Sequence, residues 1–539
     1  MSRVEAFLGK RLGLVALLIL TLVLAMPGFS SLPPVDRDEA RFSQASAQML
    51  QSGDYIDIRQ GDEARYKKPV GIYWLQAASA AITGHPEAIW SYRLVSLAGA
   101  LLAVGFTFGI GRLVMPARGA FLAGALLAAS LLLGGEARLA KTDAMLLATI
   151  MAGQYVIARA ILPARGALVL SRAEIAGFWL ALAAGILIKG PIGPMVIGTT
   201  LLGLCVVRRD LEIVRALRPV RGVAFTLLLV LPWFIAITIK SEGAFWAASV
   251  GKDLLGKVAV GQESHGAPPG TYLALLWVTF WPGAMFLAAA LPTLWRDRRD
   301  RFVVFALVWI VPTWVIFEMT ATKLVHYVLP TYPALALITA WALCKAPVRR
   351  GFWGALVLGA IPVIVLAAFA VAARDLGGSL GVPFWIGAAG LLLTVPAALV
   401  ALRRGALAVM GVAALGCGLS LSVALFPSMA RMPVLWPAKA ITTLWAEHPG
   451  CALSVVGYGE PSLLFLSRRA AFFDTAATAA ARLGQGECVM VVVEKAALAD
   501  FRALSDAPEV GPQIAAFNIG SGRNLRLHVF LQDAADATR

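Results

Sequence analysis

The sequence predicts an α-helical polytopic membrane protein of about thirteen transmembrane helices followed by a small C-terminal α/β domain, and three observations predict it. The 539 residues are 59% hydrophobic and 14% charged, with a mean hydropathy of +0.77, far from a soluble globular average. Apolar runs of roughly 18 to 22 residues, long enough to cross about 30 Å of hydrocarbon as helices, recur from Leu12 to about Phe426. The stretch 428–539 has no such run and alternates helix-like with strand-like patterns.

Taken in order, the spans are expected near 12–31, 91–111, 118–135, 143–162, 174–190, 191–207, 222–240, 271–294, 302–319, 324–344, 352–373, 383–402 and 405–426. The short hairpin 174–207 can be divided in other ways. This gives a transmembrane domain over 1–427, with an outer loop at 33–90, and a second domain over 428–539. The formal net charge of +16 would suggest nucleic acid in a soluble protein. Here the basic residues cluster in alternate loops: Arg3, Lys10 and Arg11; Arg112 and Arg118; Arg165 and Arg172; Arg208 to Arg221; Arg296 to Arg301; Lys345 to Arg350; Arg403 and Arg404. Thirteen spans put all of them on one side, the pattern of cytoplasmic anchoring. The charge is therefore topological, with no nucleic-acid partner, a cytoplasmic N-terminus and a C-terminal domain outside. The basic N-terminus and first apolar run also read as a cleavable signal peptide, but Ala25-Met26-Pro27-Gly28 is a poor cleavage site.

Carboxylates and the remaining lysines concentrate in the opposite loops. The first, 33–90, is too long for a simple connection. Glu39 to Gln51 reads as an interfacial amphipathic helix, with Phe42, Ala45, Met49 and Leu50 on one face and Arg41, Gln44 and Gln48 elsewhere. Asp36 or Asp38 would cap its start, Ser52-Gly53-Asp54 would stop it, and a second interfacial segment would run from Pro69 through Tyr73 and Trp74. Alone, Asp38 and Glu39 read as helix-capping carboxylates. Their companions are Lys68 in the same loop, Asp143 opening a span, Lys189 closing one, Lys257 and His265 in the loop 241–270, and Lys323 with Tyr327 opening another span. One lysine at a membrane edge is a snorkelling anchor. Several on the side poor in Lys and Arg point to an anionic ligand such as a lipid phosphate.

These residues resemble the lipid-linked-sugar glycosyltransferases that include the bacterial aminoarabinose transferase of lipid A and, more distantly, the protein O-mannosyltransferases. The strongest piece is Asp38-Glu39-Ala40-Arg41-Phe42 with Met49-Leu50 and Ser52-Gly53-Asp54-Tyr55, then Lys68-Pro69 and Tyr73-Trp74. Weaker pieces are Thr142-Asp143, Lys189-Gly190-Pro191, Ser264-His265 with Pro268 and Tyr272, Lys323-Leu324 with Tyr327, and Gly457-Tyr458-Gly459-Glu460-Pro461-Ser462-Leu463. The resemblance implies a GT-C-type enzyme of the bacterial inner membrane, working on its periplasmic face. It would move a sugar, with inversion, from a polyprenyl (undecaprenyl) phosphate donor to lipid A, another envelope glycan or a protein. Displacement at the anomeric carbon needs a carboxylate to activate or orient the acceptor, with Asp38 chosen as this base, and cations to receive the charge of the departing phosphate. By resemblance Lys68 and Lys257 hold that phosphate with Tyr327 as hydrogen-bond donor. Lys257 replaces a common arginine and so loses bidentate contact. Lys189 joins the phosphate site. Glu39, Arg41, His265 and Lys323 are acceptor-binding or supporting residues. Asp143 either positions the acceptor or neutralises nearby lysines.

One departure concerns metal. The aminoarabinose transferases carry a glutamate, a candidate metal ligand, just before the phosphate-binding lysine; this chain has Lys67 there. Asp38, Glu39, Asp143 and His265 offer oxygen and nitrogen donors but lack the spacing of a metal motif, so activity without a metal or other cofactor is expected. In the last domain, 438–447, 462–466 and 496–504 read as helices and 452–457, 471–473, 488–493 and 525–531 as extended. Cys205, Cys344 and Cys417 read as packing residues of the spans, while Cys451 and Cys488 share the outer domain, where a disulfide is permitted. Two other classes stay open: a transporter or flippase of lipid-linked sugars, which would show repeated halves the sequence lacks, and an envelope scaffold, which would not need the charges. The sugar and acceptor depend on pocket shape that the sequence does not display.

Overall fold

The computed structural model describes residues 12–163, 170–256, 266–346, 351–484, 487–511, 513–519 and 522–532. Among them, eight helices are long and apolar enough to cross a membrane: Ile89–Val114, Asp143–Ile161, Pro219–Lys240, Arg301–Met319, Val325–Lys345, Phe352–Asp375, Val382–Arg404 and Leu407–Ala430. The pair Thr271–Thr279 and Gly283–Arg296 would make a ninth, but it is bent by 113°. Leu12–Ala25, Ala117–Ala129 and Ile192–Arg208 are shorter apolar helices. The chain is thus a multi-pass membrane protein, while the expected count of thirteen is not confirmed. An apolar run fixes what a segment is made of, not the direction of its axis. The run 118–135 divides at Ser130 into Ala117–Ala129 and Leu131–Glu136, and the run 271–294 turns at Phe280-Trp281-Pro282.

The helices differ in what they face. Val325–Lys345 is 89% buried within the protein, whereas Pro219–Lys240 and Phe352–Asp375 are 28% and 22% buried and present side chains such as Leu228, Val357 and Ile364 outward. Hydrocarbon accepts such surfaces because a helix satisfies its own backbone. Two glycines allow close approaches that bring charged residues to one face. A Cβ on Gly99 would stand 2.6 Å from the Ala144 backbone, so helix Ile89–Val114 packs directly on the turn that carries Asp143. A Cβ on Gly71 would stand 2.8 Å from the Leu187 backbone, which draws the helix after Lys68-Pro69 against the one that ends in Lys189.

The first long loop folds into helix Asp38–Ser52, a short hairpin of β1 (Arg59–Gln60) and β2 (Glu63–Ala64), and helix Gly71–Thr83. The first helix ends at Gly53 in the left-handed conformation (φ 70°), whose N–H bonds the Met49 carbonyl. Its polar side is not wet, as an interfacial helix requires: Ser43, Gln44, Ser46 and Gln48 are all buried. Protein groups take the place of water. The Gln48 amide donates to the Gly61 carbonyl at 2.8 Å and accepts from its N–H at 2.9 Å, and Ser46 Oγ donates to Gln76 Oε1 at 2.8 Å. Nor does an aspartate cap the start: Arg37 stands at the cap position, its side chain makes no capping hydrogen bond to the helix, and Asp38 is the first helical residue. In the second segment Tyr73 is buried against Phe42, ring centroids 5.4 Å apart, and the Trp74 indole donates to the Tyr55 carbonyl.

Beyond Leu407–Ala430 the chain forms a five-stranded sheet from β3 (Ala452–Val456), β4 (Ala471–Asp474), β5 (Val489–Glu494), β6 (Ile514–Asn518) and β7 (Arg523–Gln532), in the order β4-β3-β5-β7-β6. β3 runs parallel to β4 and β5, and β7 antiparallel to both its neighbours. The run Val489-Met490-Val491-Val492-Val493 is buried on both faces, as suits the central strand. One core holds Leu453, Val455, Met490 and Val492, and the other holds Val491, Val493, Phe501 and Phe530. Cys451 and Cys488, just before β3 and β5, form a disulfide. The sequence reading misses helix Ala476–Leu483 and strand β6.

Candidate active site

Two cavities meet beside the first loop. The larger, about 580 Å³, is apolar, walled by Ile186, Pro191, Phe234, Phe245, Trp246, Val250, Ile316 and Phe317 among others. The smaller, about 350 Å³, is charged, with Asp38, Arg41, Arg65 and Lys141 in its wall. Lys67, Lys68, Asp143, Lys189, Asp253, His326 and Tyr327 border both. An apolar chamber opening onto a cluster of ammonium groups is the shape a lipid with an anionic head requires.

Asp38 is a carboxylate of the charged chamber. Burial by the surrounding walls would raise its pKa, but Lys141, Arg65, His326 and Arg41 outweigh that and hold it below the ordinary carboxylate range. A carboxylate kept so firmly ionised is a weak proton acceptor. Of the two tasks assigned to it from sequence, orienting the acceptor suits it better than activating the acceptor by removing a proton.

Glu39, its neighbour, has a different surrounding. It is 1% exposed, bonded to Arg93 Nε at 2.7 Å and Nη2 at 2.9 Å, and accepts the N–H groups of Val35 at 2.9 Å and Ala140 at 2.8 Å. Arg93 in turn holds the carbonyls of Phe29, Leu32 and Pro33. This network ties the chain before Asp38 to the segment before Asp143; Glu39 borders the charged chamber, but its side chain is enclosed by these protein groups.

Lys189 donates to Asp143 Oδ1 at 2.5 Å and lies 5.7 Å from the centre of the Tyr327 ring. Lys68 is ion-paired with Asp253. Arg41 lines the charged chamber. Lys323 does not join them: its ammonium donates to the carbonyls of Glu318 at 3.0 Å and Thr320 at 2.7 Å, closing the end of helix Arg301–Met319. Lys257 and His265 lie outside the described residues.

The sequence reading missed Lys141, Glu136, His326 and Asp253. Lys141 donates to Glu136 Oε1 at 3.0 Å. Burial opposes its charge, yet Glu136, Asp143 and Asp38 hold it protonated, above the ordinary lysine range. His326 lies between two carboxylates, Nδ1 3.7 Å from Glu136 Oε1 and Nε2 3.7 Å from Asp143 Oδ1. The signal was present in Glu136-Ala-Arg138-Leu-Ala-Lys141-Thr-Asp143, where ionisable residues interrupt an otherwise apolar sequence.

Glu136, Asp143 and His326 each bring a ligand atom within 4.8 Å of the others, and a metal must be tested against them. The set does not fit one. The two carboxylates address opposite nitrogens of one imidazole, and each is already bonded to a lysine. At the position before Lys68, Lys67 is exposed and adds a further positive charge.

Comparisons with known proteins agree with this architecture. Residues 67–235 match the family model described as dolichyl-phosphate-mannose-protein mannosyltransferase. The chain is 28% identical over 343 residues to the undecaprenyl phosphate-alpha-4-amino-4-deoxy-L-arabinose arabinosyl transferase of Pectobacterium carotovorum, covering 61% of this chain and 60% of that one. It is 29% identical over 317 residues to the Pseudomonas aeruginosa (strain LESB58) protein of the same name, covering 57% and 55%. It thus spans about three fifths of the length of the curated relatives it matches. The crystal structure of ArnT from Cupriavidus metallidurans superposes with a TM-score of 0.79 over 97% of this chain and 98% of that one, at 22% identity. The two chains share one fold. The expected helical membrane fold is found, and the resemblance to aminoarabinose transferases is borne out over 61% of the chain. An oligosaccharyltransferase from Archaeoglobus fulgidus is more distant, with a TM-score of 0.51 and 12% identity.

Proposed function

We propose that the protein is a GT-C glycosyltransferase of the bacterial inner membrane that moves a sugar, with inversion, from a polyprenyl-phosphate donor to an acceptor of the cell envelope. The observation that carries this reading is the junction of the two cavities, where an apolar chamber of about 580 Å³ opens at Lys68, Lys189 and Tyr327. The polyprenyl chain occupies the apolar chamber, and its phosphate lies at the junction. The sugar extends into the charged chamber towards Asp38. The name of the curated relatives supports undecaprenyl phosphate as the lipid and aminoarabinose as the sugar, and the ArnT fold was also solved bound to undecaprenyl phosphate.

In the transfer step an acceptor oxygen forms a bond to the anomeric carbon while the bond from that carbon to the phosphate oxygen breaks, and the proton of a hydroxyl acceptor passes to the departing phosphate. The electron pair leaves on the phosphate. Lys68 and Lys189, with Lys257 and Tyr327, receive that charge in a site too dry to screen it. Asp38 orients the acceptor, and Asp143, beyond neutralising Lys189, borders the sugar. The 428–539 region forms a periplasmic α/β domain that covers this face and shapes access for the acceptor, whether lipid A, another glycan or a protein. The N-terminus is cytoplasmic.

Purified protein in detergent, incubated with undecaprenyl-phosphate aminoarabinose and lipid A, should yield mass-shifted lipid A and free undecaprenyl phosphate. Absence of product with this and every other polyprenyl-phosphate sugar, together with passage of intact donor across proteoliposomes, would replace this reading with a transporter.

A further inference from the structure

Lys68 comes from the first loop, immediately before helix Gly71–Thr83, and its ammonium is ion-paired with Asp253, 185 residues further on. Asp253 is 6% exposed and belongs to Ala247–Leu255, which is wound as a π-helix. That winding is rare and is frequently found at functional sites. The same stretch supplies Ser249 and Val250 to the wall of the apolar chamber, with Trp246 just before it.

A carboxylate and a phosphate monoanion offer the same thing to an ammonium group: a compact negative charge with oxygen acceptors. Held together on Lys68 the two anions repel, the more strongly where water is excluded, so the phosphate competes with the carboxylate. From this geometry we propose that Asp253 is an internal competitor of the donor phosphate, occupying its place on Lys68 until the donor arrives. The inference rests on Lys68 being a phosphate ligand, as proposed above. Donor entry is then an exchange of anions: the phosphate takes Lys68, Asp253 is released, and the 247–255 wall moves with it. The exchange makes opening of the apolar chamber depend on a charged head group. A neutral polyprenol has nothing with which to displace the carboxylate.

The test measures the binding of undecaprenyl phosphate to full-length protein in detergent, comparing wild type with Asp253→Asn and Asp253→Glu. Removing the competing charge should tighten binding at least about tenfold, as expected when a closed state no longer has to be displaced, and the glutamate variant should stay near wild type. Binding that is unchanged or weaker in Asp253→Asn overturns the inference and makes Asp253 a positioning residue for Lys68. If no form binds the lipid, the donor reading itself fails, and this inference with it. Hydrogen exchange on the wild-type protein gives a readout that needs no variant: amides of 247–255 should exchange faster once undecaprenyl phosphate is bound. Unchanged or slower exchange contradicts the proposal.

Discussion

Asp38 faces the charged chamber, while its neighbour Glu39 is sealed behind it with Arg93. In sequence the two carboxylates are indistinguishable: both stand in the first turn of a helix, and both suit that place electrostatically. What separates them is which of their directions meets Arg93, Val35 and Ala140, contacts that for Arg93 and Ala140 are made across 54 and 101 residues of chain. The substitutions should therefore fail in different ways. Asp38→Asn should fold and melt as wild type and lose transfer. Glu39→Ala leaves a buried guanidinium without its partner and should cost about 3–5 kcal/mol, visible as a lower melting temperature and poor recovery from the membrane. The partnership of Lys141 and His326 with Asp38 was illegible for a related reason. No spacing rule relates them to Asp38, and they reach it only because the helices bring residues 136–143 and 326 together.

At the scale of elements, the sequence reading is most accurate where a segment's neighbours do not decide its form. The strands near 452–456 and 489–494 and the helix near 437–446 appear within a residue or two of their expected limits, because their apolar patterns are strong. Strand β6, Ile-Ala-Ala-Phe-Asn at the sheet edge, has no such pattern and forms by pairing with β7. Helix Asp38–Ser52 is found where expected, but its polar residues meet protein instead of water. The C-terminal region docks on the first loop at Asp36, whose carboxylate accepts the Ser462 N–H at 3.0 Å and the Tyr458 hydroxyl at 3.4 Å. Burial raises the Asp36 pKa to about 6; Glu460 adds to this, and the Ser462 and Tyr458 bonds pull it back. With the folded value above the ordinary 3.8, the docked form holds a proton that the unfolded chain has released. Stability from this group is full below the lower value and is lost as pH rises through about 6. Thermal scans across that window should show wild type losing stability at the upper end relative to Asp36→Asn, which stays flat. A second expectation concerns the disulfide. Cys451→Ser should destabilise the sheet by about 2–4 kcal/mol, and intact mass of the wild type after alkylation should show two further reactive thiols only upon reduction.

For the whole molecule, composition alone identified a multi-pass membrane protein, because no soluble core accounts for this many apolar runs. The number of straight spans was not legible: bends at Phe280 and Ser130 depend on packing. The expectation of metal-free activity gains a physical basis in Lys141 and Lys189, which already occupy the carboxylates. Exhaustive EDTA treatment should leave transfer unchanged, and loss restored by a divalent ion would contradict it. The central claim is that one junction holds both the donor phosphate, at Lys68, and the carboxylate that serves the acceptor, at Asp38. Single-turnover transfer from an undecaprenyl-phosphate sugar, measured for wild type, Lys68→Ala and Asp38→Asn, tests it most directly. Each substitution should slow the step at least about tenfold while the protein remains folded; wild-type rates in both folded variants would contradict the claim.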